Sequence, residues 1–118
     1  KQHPNPNTFK GHTYFLIDGD GHSTTGHFMS LVKELNLGII IGEELGSNQF
    51  CTANQKKYTM PHTGISYSVA RNTFITTASS YAADQGIMPD HFVTQSIQDH
   101  LNNIDTVLEY ALELIKQK

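Results

Sequence analysis

His22-Ser23-Thr24-Thr25-Gly26-His27 is the stretch on which the reading of this chain turns. Before it, Tyr14-Phe15-Leu16-Ile17 is an apolar run that reads as a buried strand, and Asp18-Gly19-Asp20-Gly21 breaks it. After it, Phe28, Leu31, Val32 and Leu35 recur at i, i+3, i+4 and i+7, one face of a helix. The spacing predicts a strand over 13–17 and a helix over 24–36, the latter ended by Asn36 and Gly38. Residues 38–42 are a continuous β-branched run, as in a strand buried on both faces. Strand, helix and strand at this spacing make a βαβ unit, which requires parallel pairing and a right-handed crossover. In open α/β sheets, ligand sites lie beyond the carboxyl ends of the strands, and Ser23 is just past such an end.

Ser23 has two readings at that place. Serine is a preferred helix N-cap, because its oxygen accepts a bond from the second or third helical N–H. A hydroxyl there also sits beside unpaired backbone N–H groups and the positive end of the helix dipole. That setting suits a nucleophile whose attack creates an oxyanion, with the Thr24 N–H as one donor.

Four segments carry a resemblance that bears on this choice. They are Phe9-Lys10-Gly11-His12-Thr13-Tyr14-Phe15-Leu16-Ile17-Asp18-Gly19, then His22-Ser23-Thr24-Thr25-Gly26-His27-Phe28, then Gly38-Ile39-Ile40-Ile41-Gly42-Glu43-Glu44-Leu45-Gly46, and last Gly86-Ile87-Met88-Pro89-Asp90-His91-Phe92-Val93. In this order they resemble the C-terminal part of the catalytic domain of the tail-specific (C-terminal-processing) serine peptidases. The resemblance implies a Clp-protease/crotonase-like α/β fold, with a βαβ core, further strands and a C-terminal helix. It implies hydrolysis of peptide bonds with Ser23 as nucleophile. One branch of the family uses a lysine shortly after the second strand, but Gly46-Ser47-Asn48-Gln49-Phe50 contains none. The chain is closer to the tricorn-like branch, whose histidine base lies earlier in the domain. An acidic residue precedes the Gly-x-x-Pro-Asp segment in that branch, and Asp84 is its nearest counterpart here. Pro4, Pro6 and the asparagines around them disfavour helix, so residues 1–8 read as an extended linker; on the same resemblance, residues 9–118 are a partial catalytic domain whose base lies upstream. The resemblance also implies an exported bacterial protein of the periplasm or cell envelope, acting on peptide or protein substrates. A catalytically inactive homologue serving as a peptide-binding or assembly module is the alternative.

Size and charge narrow the classes. A chain of 118 residues is at most one domain. Its net charge is −3 with no basic run, which argues against a nucleic-acid partner. No apolar run approaches a membrane span. The single cysteine, Cys51, permits no internal disulfide, and its flank reads as a strand holding a buried thiol. The opening Lys1-Gln2-His3-Pro4-Asn5-Pro6-Asn7 has no initiator methionine or signal peptide and reads as a cut within a longer protein.

The middle reads as β-rich. Strands are expected over 50–60 and 65–69, the second half-buried through alternating Ile65, Tyr67 and Val69. A turn at Arg71-Asn72 and a short strand over 74–77 follow, then a polar loop holding Ser79 and Ser80, and a strand at Phe92-Val93. Ser96 and Asp99 form an acidic variant of the capping box. They open one last helix whose stripe is Ile97, Leu101, Ile104, Leu108, Ala111, Leu112 and Ile115.

Other residues invite chemistry. Glu43 follows the second strand and is placed to orient a histidine, as a third triad member does; a solvated carboxylate is the plainer reading. His22 and His27 flank Ser23, but a base must meet demanding geometry. Lys56 and Lys57 read as solvated charges, and Pro89-Asp90 as a turn and strand start. No pair of the seven histidines has His-Glu-x-x-His spacing, so no metal is expected, and no cofactor. A partial sheet leaves unpaired strand edges, which predicts homo-oligomers.

Overall fold

A computed structural model describes residue 3, residues 5–79 and residues 83–117; Ser80 and part of the N-terminal linker lie outside the described residues. The predicted βαβ unit is present. Strand β1 (Tyr14–Ile17) leads to helix α1 (Thr24–Glu34) and then to β2 (Ile39–Gly42), which pairs with β1 in parallel. Tyr14 lies opposite Ile39, and Ile17 opposite Gly42. Two further strands, β3 (Phe50–Thr59) and β4 (Ser66–Ile75), form an antiparallel hairpin. The short β5 (His91–Phe92) adds to β2 in parallel, giving the order β1-β2-β5. Two helices close the chain, α2 (Ile97–Leu101) and α3 (Thr106–Lys116).

The core lies between α1 and the parallel sheet. Ile17, Met29, Val32, Ile40, Leu45 and Ile87 form it, and Phe15 packs against its rim. Ile40 and Ile41 are both fully buried, as expected for the central strand. Helix α1 stops two residues before the predicted end. Asn36 takes the left-handed conformation at φ 55°, and the Leu37 N–H reaches back to the Val32 carbonyl at 2.9 Å. That is the Schellman closure, with asparagine in the place usually held by glycine.

Gly42 ends β2 at φ 130°, and a Cβ there would lie 2.0 Å from the Ile17 carbonyl oxygen. Only glycine lets β2 turn away while Glu43 N–H still bonds that carbonyl at 3.1 Å. Asp90 anchors the far side of β2. Its carboxylate accepts the Ile40 N–H at 2.9 Å and faces Lys33 at 3.4 Å, the structural use expected of Pro89-Asp90.

Three expectations are corrected. Arg71-Asn72 is no turn, and the strands expected over 65–69 and 74–77 are one strand, β4. The Arg71 guanidinium bonds the Asn54 carbonyl and side chain at 3.2 and 2.8 Å, and Asn54 donates to Asn72 at 2.7 Å, carrying the ladder through. Nor is that strand half-buried: Ile65, Tyr67 and Val69 all face solvent, because no layer covers the hairpin. The single C-terminal helix is two helices. The capping box of Ser96 and Asp99 forms as predicted, but Asn103 at φ 55° breaks the run, and the Asp105 carboxylate caps α3 through Leu108 N–H at 2.9 Å.

Candidate functional site

Ser23 occupies the turn between the end of β1 and the first residue of α1. Its backbone is at φ 56°, ψ −119°, a region that side-chain-bearing residues avoid. The capping reading fails, since the Ser23 side chain accepts no helix N–H. Its carbonyl takes over that role, accepting from Gly26 N–H at 3.0 Å and His27 N–H at 3.4 Å. The Thr24 N–H has no backbone acceptor among the described residues. The exposed Ser23 hydroxyl is thus held beside a free helix-start donor by a strained backbone.

The hydroxyl contacts a residue that sequence reasoning did not connect to it. Ser23 Oγ lies 3.1 Å from the Cys51 sulfur on β3. Cys51 is half-buried, more open than the buried thiol expected from its strand. The two are 28 residues apart, and only the packing of β3 on α1 brings them together. Two further contacts fix that packing. His27 Nε2 is 3.2 Å from the Phe74 carbonyl, and the fully buried Ser30 hydroxyl is 2.9 Å from that of Thr76. The His27 ring is therefore engaged with β4 and not with Ser23. His22 points toward the loop at Gly46, where its Cε1 would stand 3.1 Å from an added Cβ.

The first turn of α1 presses on the loop after β2. A Cβ on Gly26 would lie 2.4 Å from the Asn48 carbonyl oxygen and 2.6 Å from the Ser47 hydroxyl. Ser47 in turn donates to the Gly21 carbonyl at 2.7 Å, tying the loop to the approach to Ser23. From there Asn48 reaches the carbonyls of Ala83 and Gln85 at 3.3 and 2.7 Å, and Glu44 accepts the Gly86 N–H at 2.7 Å. Asp84 is thereby held across Asn48 from α1, exposed, at a depression of about 350 Å³ floored by Ser47 and Phe50.

Glu43 belongs to a different surface. It lines a cleft of about 690 Å³ with Phe15, Phe28, Leu45 and Asp105, and its carboxylate accepts the Thr94 hydroxyl. Gly21 and Thr25, on either side of Ser23, also line this cleft. Glu43 and Asp84 thus stand at two hollows that border the nucleophile turn from different sides. Lys56 and Lys57 lie on β3; the Lys56 ammonium sits 5.3 Å from the Tyr58 ring centroid. No group of three metal-ligating side chains occurs among the described residues.

No family model and no curated protein matches the chain. A solved structure does. The fold is shared with the tricorn protease. The likeness covers 95% of this chain at a TM-score of 0.57 and 19% identity, and spans 12% of the tricorn protease chain. The likeness is one of fold, a shared α/β arrangement. No described helix is long and apolar enough to cross a membrane.

Proposed function

We propose that this chain is part of a serine-type peptidase of the tail-specific kind, nearer its tricorn-like branch, with a Clp-protease/crotonase-like fold. The observation that carries the reading is the backbone of Ser23. A serine on a strained strand-to-helix turn, its hydroxyl exposed and not spent on capping, is the arrangement of a nucleophile elbow. Strain of this kind persists where the surrounding structure enforces it, and it clusters at reacting centres. The likeness to the tricorn protease supports the same reading at the level of fold.

In the proposed reaction Ser23 Oγ attacks a peptide carbonyl and passes its proton to a base. The Thr24 N–H stabilises the oxyanion, the C–N bond breaks, and the protonated amine leaves. Water then hydrolyses the acyl-enzyme ester. The base and a second oxyanion donor come from sequence upstream of residue 1. Asp84 and Glu43 are the carboxylates available to orient such a base. An exported, periplasmic or envelope setting belongs to the same proposal and rests on the sequence resemblance alone.

One observation favours a second reading for the chain by itself. Its His27 ring is spent on the Phe74 carbonyl, and the partner of the Ser23 hydroxyl is a thiol. A peptide-binding module without catalysis would look like this. Labelling with a serine-reactive fluorophosphonate separates the two. The expected result is labelling of a longer form that carries the upstream sequence, its loss in Ser23→Ala, and little or no labelling of the 118-residue chain. A folded longer form that does not label would sink the peptidase reading and leave the binding module.

A further inference from the structure

The β3–β4 hairpin has no cover. Apart from its base at Phe50, Cys51 and Ala53, only Ala70 is even half-buried. An isolated two-stranded hairpin is marginal in water. Yet this one is ten residues long on each strand, and it presents Tyr58, Tyr67 and Val69 on one face, the two rings stacked at 5.4 Å. Met60 and Ile65 continue the apolar surface to the tip.

Charge separates this arm from the rest of the molecule. The chain has eight Lys and Arg against eleven Asp and Glu; residues 50–75 hold Lys56, Lys57 and Arg71 and no acid. The remainder has five against eleven, so a +3 arm projects from a −6 body. The body carries a matching surface. Its 690 Å³ cleft combines apolar walls, among them Phe15 and the 54%-exposed Phe28, with the carboxylates of Asp18, Glu43 and Asp105.

The exposed area is large enough to hold a partner. A compact protein of 13.2 kDa exposes about 6,400 Å², and this chain exposes 8870 Å². The excess, about 2,500 Å², exceeds the roughly 800 Å² that each partner buries in a standard interface. We infer that the basic, aromatic β3–β4 arm of one copy docks in the acidic apolar cleft of a second copy, and reciprocally. Two arms and two clefts close on a two-fold axis, which leaves no arm free and limits the assembly to a dimer. This does not depend on whether Ser23 is catalytic.

The test uses the 118-residue chain and two charge variants, followed by sedimentation velocity from low micromolar to a few hundred micromolar. Variant one, Lys56→Glu with Lys57→Glu, has an acidic arm facing an acidic cleft. Variant two, Asp18→Lys with Glu43→Lys, leaves the cleft two ammonium groups against the one carboxylate of Asp105, so a basic arm faces a basic cleft. The expected result is a dimer for the parent chain, weakened at least tenfold in each variant alone. Mixing the two restores it, because each arm then meets a cleft of opposite charge. Circular dichroism of each variant checks that the fold is kept, and none of the four substituted positions belongs to the core. A parent chain that is monomeric throughout overturns the inference and assigns the arm to a different occupant. So do variants that dimerise as tightly as the parent, a mixture that restores nothing, or open-ended oligomers in place of a dimer.

Discussion

The parallel body and the antiparallel arm both carry large apolar side chains on their strands and reach opposite outcomes. In β2, Ile40 and Ile41 are fully buried, one face under α1 and the strand flanked by β1 and β5. In β4, Tyr67, Val69, Phe74 and Ile75 are each about half exposed. The pairing runs the length of both, interrupted in the arm only at Asn54 and Arg71, so backbone hydrogen bonding does not account for the contrast. The difference is a second layer. A crossover connection brings its own helix back onto the sheet and so supplies cover from within the unit, whereas a hairpin returns with only another strand. The body buries its apolar surface by its own topology; the arm depends on something else to do so.

The largest expected effect tests that contrast directly. Ile40→Ala should destabilise the chain by about 2–5 kcal/mol, because the methylenes removed come from a close-packed site that cannot collapse. Val69→Ala should cost well under about 1 kcal/mol, since an exposed strand residue loses only its cross-strand contacts. Urea unfolding of the two variants measures both. Equal losses would mean that the arm is covered in solution and would break the comparison; a larger gap at low protein concentration than at high would sharpen it toward the arm-in-cleft dimer.

How much of this the amino-acid sequence reveals follows the same division. Helix α1, its flanking strands, their parallel pairing and the place of Ser23 are legible because each rests on local period and on turn residues that act within a few positions. The fate of the arm is not. Ile65, Tyr67 and Val69 alternate with serines as any half-covered strand would, and alternation records only that one face is apolar, not what covers it. The break between α2 and α3 is written locally, in Asn102-Asn103 and the Asp105 cap, but the continuing stripe from Leu101 to Leu108 masks it. The Ser23–Cys51 contact has no local signal at all, since it arises from where β3 crosses α1.

A middle-sized effect sits at the junction of body and arm. Ser23 is the strained residue between β1 and α1, and Cys51 at the base of the arm lies against it. Replacing Ser23 by glycine removes the Cβ that makes φ 56°, ψ −119° costly. Strain of this class amounts to about 1–3 kcal/mol, partly offset by the greater freedom of glycine in the unfolded chain. Ser23→Gly should therefore raise the free energy of unfolding by about 1 kcal/mol, while Ser23→Ala, which keeps the Cβ, should leave it nearly unchanged. A Ser23→Gly variant less stable than Ser23→Ala would show that the turn is not strained, and the strongest support for a reacting serine would go with it.

The smallest effect concerns α2, which resembles the arm in burying nothing yet is held by a different device. No α2 residue is buried, and its five residues are too few to be stable by propensity. The capping box does the holding. Ser96 Oγ donates to the Asp99 carboxylate at 2.6 Å and accepts the Asp99 N–H at 3.1 Å, and the Ser96 N–H reaches the same carboxylate at 3.2 Å. The Ser96 hydroxyl and then its backbone N–H hold the Asp99 carboxyl below the usual aspartate range. A depressed folded-state value means that the ionised form is favoured by folding. The stabilisation is therefore fully present above the unfolded value and fades as pH falls through the lowered folded one. Asp99 stays half-exposed, so solvent screens the effect and the readout is the titration itself rather than global unfolding. In a carboxyl-detected NMR titration, Asp99 should titrate below the ordinary aspartate range, and Ser96→Ala should return it toward that range. At the same acidic pH, amide exchange should quicken across α2 and not across β1 or β2. Uniform quickening over the sheet would mean that α2 and the body open together, and that exposure does not mark an independently opening segment in this molecule.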